Sequence, residues 1–222
     1  MSVTTIAWSW TLTSWDLRNC ITSKTKKLWW GRRWITSADA NIDEITGDNS
    51  DSASGVGILL SCHFSKLILV KGCVGTRIAC ARLEGPVCPL FVVVAYIPHK
   101  YRTSAPQAAD TLVQLNKLLS DREQIKVNDC IVLMGDFNCE LQRNVQGCTG
   151  RWFMNKRPDD GHSDQVLNLL RLHNLFAVDS LFRPKRRKFG QGDKPRVCNA
   201  TYLQKDASRR PKKLDYFFVT VK

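Results

Sequence analysis

Short apolar runs separated by glycine and proline fill the sequence from Gly55 onward. Four of them follow one another at hairpin-like spacing: GVGILLS, KLILVKG, TRIACARL and LFVVVAYIP. Runs of this length, rich in Val, Ile and Leu and bounded by turn residues, are typical of β-strands. The segments CIVLMGDFN, VCNATYL and KLDYFFVTV repeat the pattern further along the chain. The sequence therefore predicts a protein with many strands between Gly55 and its carboxyl terminus.

Two stretches between these runs have the periodicity of amphipathic helices. Ser104 can cap the first, whose apolar residues recur at intervals of three and four: Ala108, Ala109, Leu112, Leu115 and Leu119. Ser163 or Asp164 can cap the second, which continues to about Asn174 with the apolar residues Val166, Leu167, Leu170 and Leu172. Strands in hairpin pairs with helices inserted between them predict an α/β fold of two packed sheets covered by helices.

The first 54 residues show neither the period of a strand nor that of a helix, because tryptophans alternate irregularly with polar residues. We expect residues 1–54 to form a divergent or poorly ordered segment and residues 55–222 to form one domain. The basic segment RPKRRKFGQGDKPR, at 183–196, reads as a loop.

The chain is strongly basic, with 33 Lys and Arg against 20 Asp and Glu, a formal net charge of +13 and a pI of about 9.5. Between Arg183 and Lys222 thirteen basic residues face three acidic ones. This balance favours a polyanionic partner, DNA or another nucleic acid ahead of an anionic membrane surface. The candidate nucleic-acid-binding residues are Arg183, Lys185, Arg186, Arg187, Lys188, Arg209, Arg210, Lys212 and Lys213.

The cysteine pattern and the hydropathy of the chain indicate the cellular compartment in which the protein is expected. The nine cysteines form no CxxC pair and mostly adjoin apolar residues, which favours reduced, partly buried thiols over a zinc site. No apolar run reaches the roughly 18–20 residues that span a bilayer, and the amino terminus lacks the basic start of a signal peptide. We expect an intracellular protein, neither secreted nor transmembrane, with PKRRK suited either to nuclear import or to phosphate contacts. No obligate protein partner is implied.

Residues with catalytic potential lie at the ends of the predicted strands. In VLMGDFNCEL, at 132–141, an apolar strand runs directly into Asp136 and Asn138. Two residues apart on a strand, both side chains can turn to the same side. An ordinary Asp/Asn turn and a catalytic edge are both compatible with this stretch. Taken alone, Tyr96 can equally be a core aromatic and Asp215 a buried carboxylate.

Four motifs in order, SGVGILLS, VVVAYIPH, VLMGDFN and KLDYFFVT, resemble the endonuclease/exonuclease/phosphatase family of metal-dependent phosphodiesterases. The resemblance is greatest to the abasic-endonuclease-like domain that precedes the reverse transcriptase of non-LTR retrotransposons, and it covers Gly55 to Val221. It implies a four-layer α/β sandwich of two packed, mostly antiparallel sheets flanked by helices. The active site would lie at one end of the paired sheets.

The same resemblance implies residue roles. Tyr96 would contact the scissile phosphate, and Asp136 would position or deprotonate the attacking water. Asn138 would hold a phosphate oxygen, and Asp215 would orient a catalytic histidine. The implied cofactor is Mg²⁺, with Mn²⁺ as an alternative, which would stabilise the charge that develops on the phosphate.

The sequence departs from the family pattern near both ends. The family has a metal-binding glutamate in a QET-like motif, whereas the only glutamate before Gly55 is Glu44, in unrelated surroundings. The family also has an Asp-His pair well after the LDY motif, and none follows Asp215 here. We therefore expect a domain without its last strands. The residues His63, His162 and His173 match no family position and are expected at the surface or in turns.

Three hypotheses follow. The first is a Mg²⁺-dependent DNA endonuclease domain of retrotransposon origin, in which water attacks the phosphodiester in line. The second is a catalytically dead remnant that binds nucleic acid through its basic segments. The third is another branch of the fold, acting on phospholipid headgroups or soluble phosphate esters, and the positive charge weighs against it.

Overall fold

The computed structural model describes residues 33–36, 56–60, 62–99, 105–153, 162–183, 186–187, 196–197, 201 and 212–221. The strands within these ranges are β1 (Arg33–Thr36), β2 (Gly57–Leu60), β3 (Ile68–Val74), β4 (Ile78–Leu83), β5 (Leu90–Tyr96), β6 (Cys130–Asp136), β7 (Leu175–Ala177), β8 (Arg186–Arg187), β9 (Arg196–Val197) and β10 (Asp215–Thr220). The helices are α1 (Cys62–Ser65), α2 (Ala105–Ser120), α3 (Ser163–Leu172) and a 3-10 helix, Val178–Leu181.

Six strands form one sheet in the order β3-β4-β5-β6-β10-β7, and β1-β2 and β8-β9 form two-stranded sheets. A six-stranded sheet accompanied by helices confirms the predicted α/β class. The finer expectation of two packed sheets in four layers stays a prediction. No helix in the part of the chain that is described is both long and apolar enough to cross a membrane.

The chain divides into two compact units, the first comprising Met1–Tyr96 and Asp121–Cys130. In this unit β3, β4 and β5 form an antiparallel meander. Nearly every residue of β4 and β5 is buried, which explains why both read as continuous apolar runs. The Arg82 guanidinium donates to both oxygens of the buried Asp129 carboxylate, at 2.8 to 3.2 Å, and so fastens the second segment of the unit to β4.

The second unit comprises Ile97–Ser120 and Ile131–Lys222. Its strand β10 pairs antiparallel with β6 on one side and with β7 on the other. The rings of Phe137, Phe153, Tyr216 and Phe218 pack against one another with centroids 5.1 to 6.2 Å apart. These aromatic contacts join the end of β6 to β10 and form the core beneath the candidate site.

Both predicted helices of the second unit form, with differences at their faces and ends. Ala109 is exposed on α2, whereas Thr111 and Leu118 are buried, so the apolar face lies slightly to one side of the predicted one. Ser104 lies outside the described residues. The predicted caps of α3 are wrong, because Ser163 is already helical and His162 takes the N-cap position without a side-chain hydrogen bond. Leu172, at the end of α3, is 64% exposed.

Four short strands were not predicted: β1, which lies within residues 1–54, and β7, β8 and β9. The segment interpreted as a loop, 183–196, contains β8 and the first residue of β9, which pair at Arg186↔Val197 and Arg187↔Arg196. A ladder of two residue pairs requires only backbone hydrogen bonds, so it leaves no periodic signal in a polar segment. The three residues of β7 directly follow α3 and are equally short. Within the predicted strand VCNATYL only Val197 is described as strand, and Thr201 lies in a bend.

Candidate active site

Two carboxylates meet at the end of neighbouring strands. Asp136 is the last residue of β6, Asp215 is the first of β10, and the antiparallel register places them directly opposite each other. Opposed residues in such a ladder have Cα atoms about 4.5 to 5.5 Å apart, and like charges there repel each other. The sequence identified both residues, and the structure brings them together as a pair.

Burial raises the pKa of the Asp136 carboxyl to about 7, because desolvation penalises the charged form. A hydrogen bond from the Asn138 backbone opposes this shift, and the charge of Asp215 adds to it. A carboxyl group with a pKa of about 7 is present in both protonation states near neutral pH. It can therefore accept a proton in one step and release it in the next.

Asn138 shapes the turn that follows the strand. Its backbone has φ 47°, in the left-handed region that asparagine tolerates better than most residues. Its backbone N–H donates to Asp136 Oδ1 at 2.9 Å, and its side-chain Nδ2 donates to the Ile97 carbonyl oxygen at 2.9 Å. Nδ2 carries two hydrogens, and one of them has no acceptor among the described residues. The turn is therefore held from two directions.

Backbone contacts fix the same turn from both sides. The Ile97 N–H donates to the Asp136 carbonyl oxygen at 2.8 Å, and the Phe137 N–H donates to that of Leu214 at 2.9 Å. Ile97 and Phe137 are fully buried. The Asp136 backbone is thus held by hydrogen bonds to and beside buried residues.

His162 also holds this turn, which the sequence did not predict. The residue is 94% buried, and Nε2 lies 2.6 Å from the Phe137 carbonyl oxygen, so Nε2 carries the hydrogen. His162 was expected at the surface or in a turn; it lies in a bend directly before α3, but it is buried there and not at the surface. His173 is half-buried and contacts Asn116 Oδ1 through Nε2 at 2.9 Å, and the side chain of His63 lies outside the described part. The only local signal for burial was the place of His162 directly before α3.

Tyr216 connects the chain that follows Asn138 with the chain that precedes Asp215. Its hydroxyl accepts the Leu141 N–H at 2.9 Å and lies 3.0 Å from the Cys139 carbonyl oxygen and 2.8 Å from that of Lys213. Burial raises the pKa of Tyr216 well above its ordinary value, so the phenol stays neutral. The residue after Asp215 therefore fastens the chain after Asn138 to the chain before Asp215.

No family model and no curated protein matches the sequence. Among solved structures, the chain is similar to the 3' phosphatase NExo from Neisseria bound to a product DNA hairpin, at 13% identity and a TM-score of 0.53. It is also similar to the 3'-5' exonuclease NExo from Neisseria meningitidis, at 14% identity and a TM-score of 0.51. Each match covers 86% of this chain and 67% of the other. The chain has the endonuclease/exonuclease/phosphatase fold.

A third similar structure is the endonuclease domain of TRAS1, a telomere-specific non-LTR retrotransposon, at 14% identity and a TM-score of 0.48, with the same coverage. The two NExo comparisons confirm the fold that the sequence motifs implied. At 13–14% identity they establish the fold alone. The catalytic roles of the residues stay predictions.

In this endonuclease/exonuclease/phosphatase fold, three of the four predicted catalytic residues belong to the second unit: Asp136, Asn138 and Asp215. The fourth, Tyr96, ends β5 in the first unit, where it is half-buried and its N–H donates to the Arg77 carbonyl oxygen at 2.9 Å. A role for Tyr96 in catalysis stays a prediction.

The basic residues predicted to bind nucleic acid differ in their surroundings. Arg183 is exposed, and Arg186 and Arg187 form β8. Lys212 Nζ lies 3.9 Å from Glu140, and Lys213 Nζ lies 2.5 Å from Asp179 and over the rings of Phe153 and Tyr216. These two lysines thus have internal carboxylate partners. The remaining predicted contacts, Lys185, Lys188, Arg209 and Arg210, lie outside the described residues.

The donors at the site fit a hard divalent cation. Mg²⁺ prefers oxygen ligands and is usually held by one or two carboxylates together with water and substrate phosphates. The Asp136–Asp215 pair supplies such carboxylates, and its mutual repulsion is what a cation would relieve. No group of three or more His, Cys, Asp or Glu side chains suited to a metal occurs among the described residues, and Glu44 lies outside them.

Proposed function

We propose that the chain is a metal-dependent phosphodiesterase that hydrolyses DNA, as its motifs and fold together favour. The observation that carries this proposal is the opposition of Asp136 and Asp215 at the end of β6 and β10, with Asn138 held in the turn beside them. A carboxylate can act as a base toward water, and an amide can donate to a phosphate oxygen, which are two tasks in phosphodiester hydrolysis.

Asp136 acts as the base in the proposed reaction. Its Oδ1 accepts the Asn138 N–H, which leaves Oδ2 to take a proton from water as the water oxygen attacks phosphorus. The bond from phosphorus to the leaving oxygen breaks, the leaving oxygen takes a proton from solvent water, and Asp136 later returns its proton to solvent. In the metal-free chain the pKa of about 7 lies near the pH at which a base works best, and a cation bound beside Asp136 would lower that pKa and favour the ionised base.

Asn138 contacts the substrate in the proposed reaction, and Asp215 contributes to holding the cation. The second Nδ2 hydrogen of Asn138 donates to a non-bridging phosphate oxygen without adding negative charge beside the phosphate. When bound at the Asp136–Asp215 pair, Mg²⁺ supplies positive charge that stabilises the phosphate oxygens. Without its cation, the Asp215 carboxylate repels an anionic substrate, so the protein's affinity for DNA at this site depends on cation binding.

DNA is the proposed substrate for two reasons. The net charge of +13 attracts a polyanion, and the excess is concentrated after Arg183. The Neisseria 3' phosphatase with the same fold is bound to a product DNA hairpin. The proposed retrotransposon origin and endonucleolytic action rest on the sequence motifs.

Nicking of supercoiled plasmid by the purified chain tests the proposal. We expect Mg²⁺-dependent nicking that EDTA abolishes and that Asp136→Asn lowers by a factor of about 100 or more, because general-base catalysis contributes about 10²–10⁴-fold. Asp110→Asn is the matched control, since Asp110 is an exposed aspartate on α2. Equal nicking by wild type and Asp136→Asn would contradict the proposal.

The alternative function is nucleic-acid binding without catalysis. It is favoured by the finding that no third potential metal ligand joins the carboxylate pair among the described residues. Nicking and DNA binding measured on the same purified chain distinguish the two functions. Salt-sensitive DNA binding by a folded chain that nicks no plasmid would establish the alternative.

A further inference from the structure

Two arginines lie over the same tryptophan ring in the second unit. The guanidinium carbon of Arg151 is 4.8 Å from the centroid of the Trp152 ring, and that of Arg183 is 5.6 Å from it. A guanidinium within about 6 Å of a tryptophan ring is attracted by its π-electrons. We call these three residues the Arg-Trp-Arg cluster.

The cluster stands on a fixed backbone. The Trp152 N–H donates to the Ser180 carbonyl oxygen at 3.1 Å, and the Gly150 N–H donates to Ser180 Oγ. The next residue, Phe153, is buried and packs edge-on against Tyr216 with centroids 5.5 Å apart. Tyr216 directly follows Asp215, so packed side chains connect the cluster to the strand that begins with the candidate catalytic carboxylate.

Both arginines of the cluster are exposed, and no described carboxylate pairs with either of them. Neither forms an ion pair or a hydrogen bond with a carboxylate among the described residues. Lys212 and Lys213, by contrast, are paired with Glu140 and Asp179. Two guanidiniums held beside one ring repel each other, and an anion bound to both would remove that repulsion.

We propose that the Arg-Trp-Arg cluster binds the phosphate backbone of a nucleic-acid strand. Arg151 and Arg183 donate to phosphate oxygens, for which the planar guanidinium fork is well suited. Trp152 keeps both guanidiniums in position, which lowers the entropy lost when phosphate binds. Because the arginines engage the ring, phosphate contact is favoured over the stacking of a base on Trp152.

The nucleic-acid ligand rests on the proposed function, but cleavage is not required. Binding is therefore measured in EDTA, by fluorescence anisotropy of a labelled single-stranded oligonucleotide over a range of salt concentrations. The variants are Arg151→Gln/Arg183→Gln, which removes both charges, and Trp152→Leu, which keeps the net charge. Arg122→Gln/Arg143→Gln removes the same charge elsewhere and is the control.

We expect Arg151→Gln/Arg183→Gln to weaken binding at least 10-fold. The slope of log affinity against log salt should fall by about 1.4, because each phosphate contact to a single strand contributes about 0.7. Trp152→Leu should weaken binding several-fold without a change of net charge, and Trp152→Phe, which keeps a ring, should retain most of the affinity. The control variant should lose less binding affinity than Arg151→Gln/Arg183→Gln and less than Trp152→Leu.

Three results would overturn the proposal. One is an equal loss of affinity in the control variant, since bulk charge would then explain binding. Another is wild-type affinity and salt slope in both Trp152→Leu and Arg151→Gln/Arg183→Gln, once thermal unfolding has shown both to be folded. The third is loss of binding to phosphatidylserine vesicles with unchanged DNA binding, which would assign the cluster to a membrane surface.

Failure of the proposed catalysis gives a different result. If DNA binding depends on the cluster but no preparation nicks plasmid, the phosphodiesterase proposal fails and the cluster stands. If Asp136→Asn abolishes nicking while the cluster variants bind like wild type, the cluster proposal fails and the catalytic one stands.

Discussion

At the scale of single residues, the buried Asp136 carboxyl should make stability depend on pH. Its pKa is raised from 3.8 to about 7, so between these values the folded chain holds a proton that the unfolded chain has released. This contribution to stability is therefore largest at low pH, declines as pH rises toward about 7, and is constant above it. The total is at most a few kcal/mol, at about 1.4 kcal/mol per pKa unit.

Urea unfolding at about pH 5.5 and about pH 8, in EDTA, measures this dependence. Wild type should lose about 2 kcal/mol more stability between these pH values than Asp136→Asn does. Asp110→Asn should behave like wild type. If the free energy of unfolding changed equally with pH in wild type and in Asp136→Asn, Asp136 would titrate in its ordinary range.

The residues of the site differ in how readily the sequence predicts them. Asp136, Asn138 and Asp215 stand in motifs and were identified. His162, Tyr216 and Trp152 were not, because their importance comes from contacts with residues far away in sequence. The Tyr216 hydroxyl, for example, bonds to Leu141, 75 positions away. Nothing in the local composition encodes such a contact.

At the scale of elements, Gly150 allows the loop before Trp152 to approach the 3-10 helix. A Cβ at this position would lie 2.8 Å from the Ser180 carbonyl oxygen and 3.1 Å from Ser180 Oγ. Gly150→Ala should therefore destabilise the protein by about 1–3 kcal/mol, since overpacking forces the backbone to shift. It should also weaken DNA binding by displacing the Arg-Trp-Arg cluster.

Thermal unfolding of Gly150→Ala checks the prediction, with Gly72→Ala in β3 as the control. A Cβ on Gly72 meets only Cys80 Sγ, at 3.4 Å, which is an ordinary contact. A melting temperature for Gly150→Ala equal to that of Gly72→Ala would mean that the loop relaxes at no cost.

The sequence predicted the long elements more readily than the shortest ones. The long apolar runs of β3 to β6 and β10, and the periodic faces of α2 and α3, were recognised within a few residues of their observed ends. The strands β7, β8 and β9 have three, two and two residues, too few for a period to show. The register that opposes Asp136 and Asp215 was equally inaccessible, because it pairs strands 79 positions apart through non-local packing.

At the scale of the whole molecule, charge and fold point to the same kind of ligand. The order of four motifs predicted the endonuclease/exonuclease/phosphatase fold, which the comparisons confirm. The net charge of +13 predicts a polyanionic partner. The expected absence of a metal-binding glutamate and a catalytic histidine stays a prediction, as does the division of the chain at residue 54.

The central claim is that Asp136 and Asp215 form one interacting carboxyl pair poised for acid–base chemistry near neutral pH. An NMR titration of the side-chain carboxyl carbons, without divalent metal, tests it most directly. In wild type the Asp136 signal should titrate near pH 7, and in Asp215→Asn its apparent pKa should fall. An Asp136 pKa of about 4 in both proteins would contradict the claim.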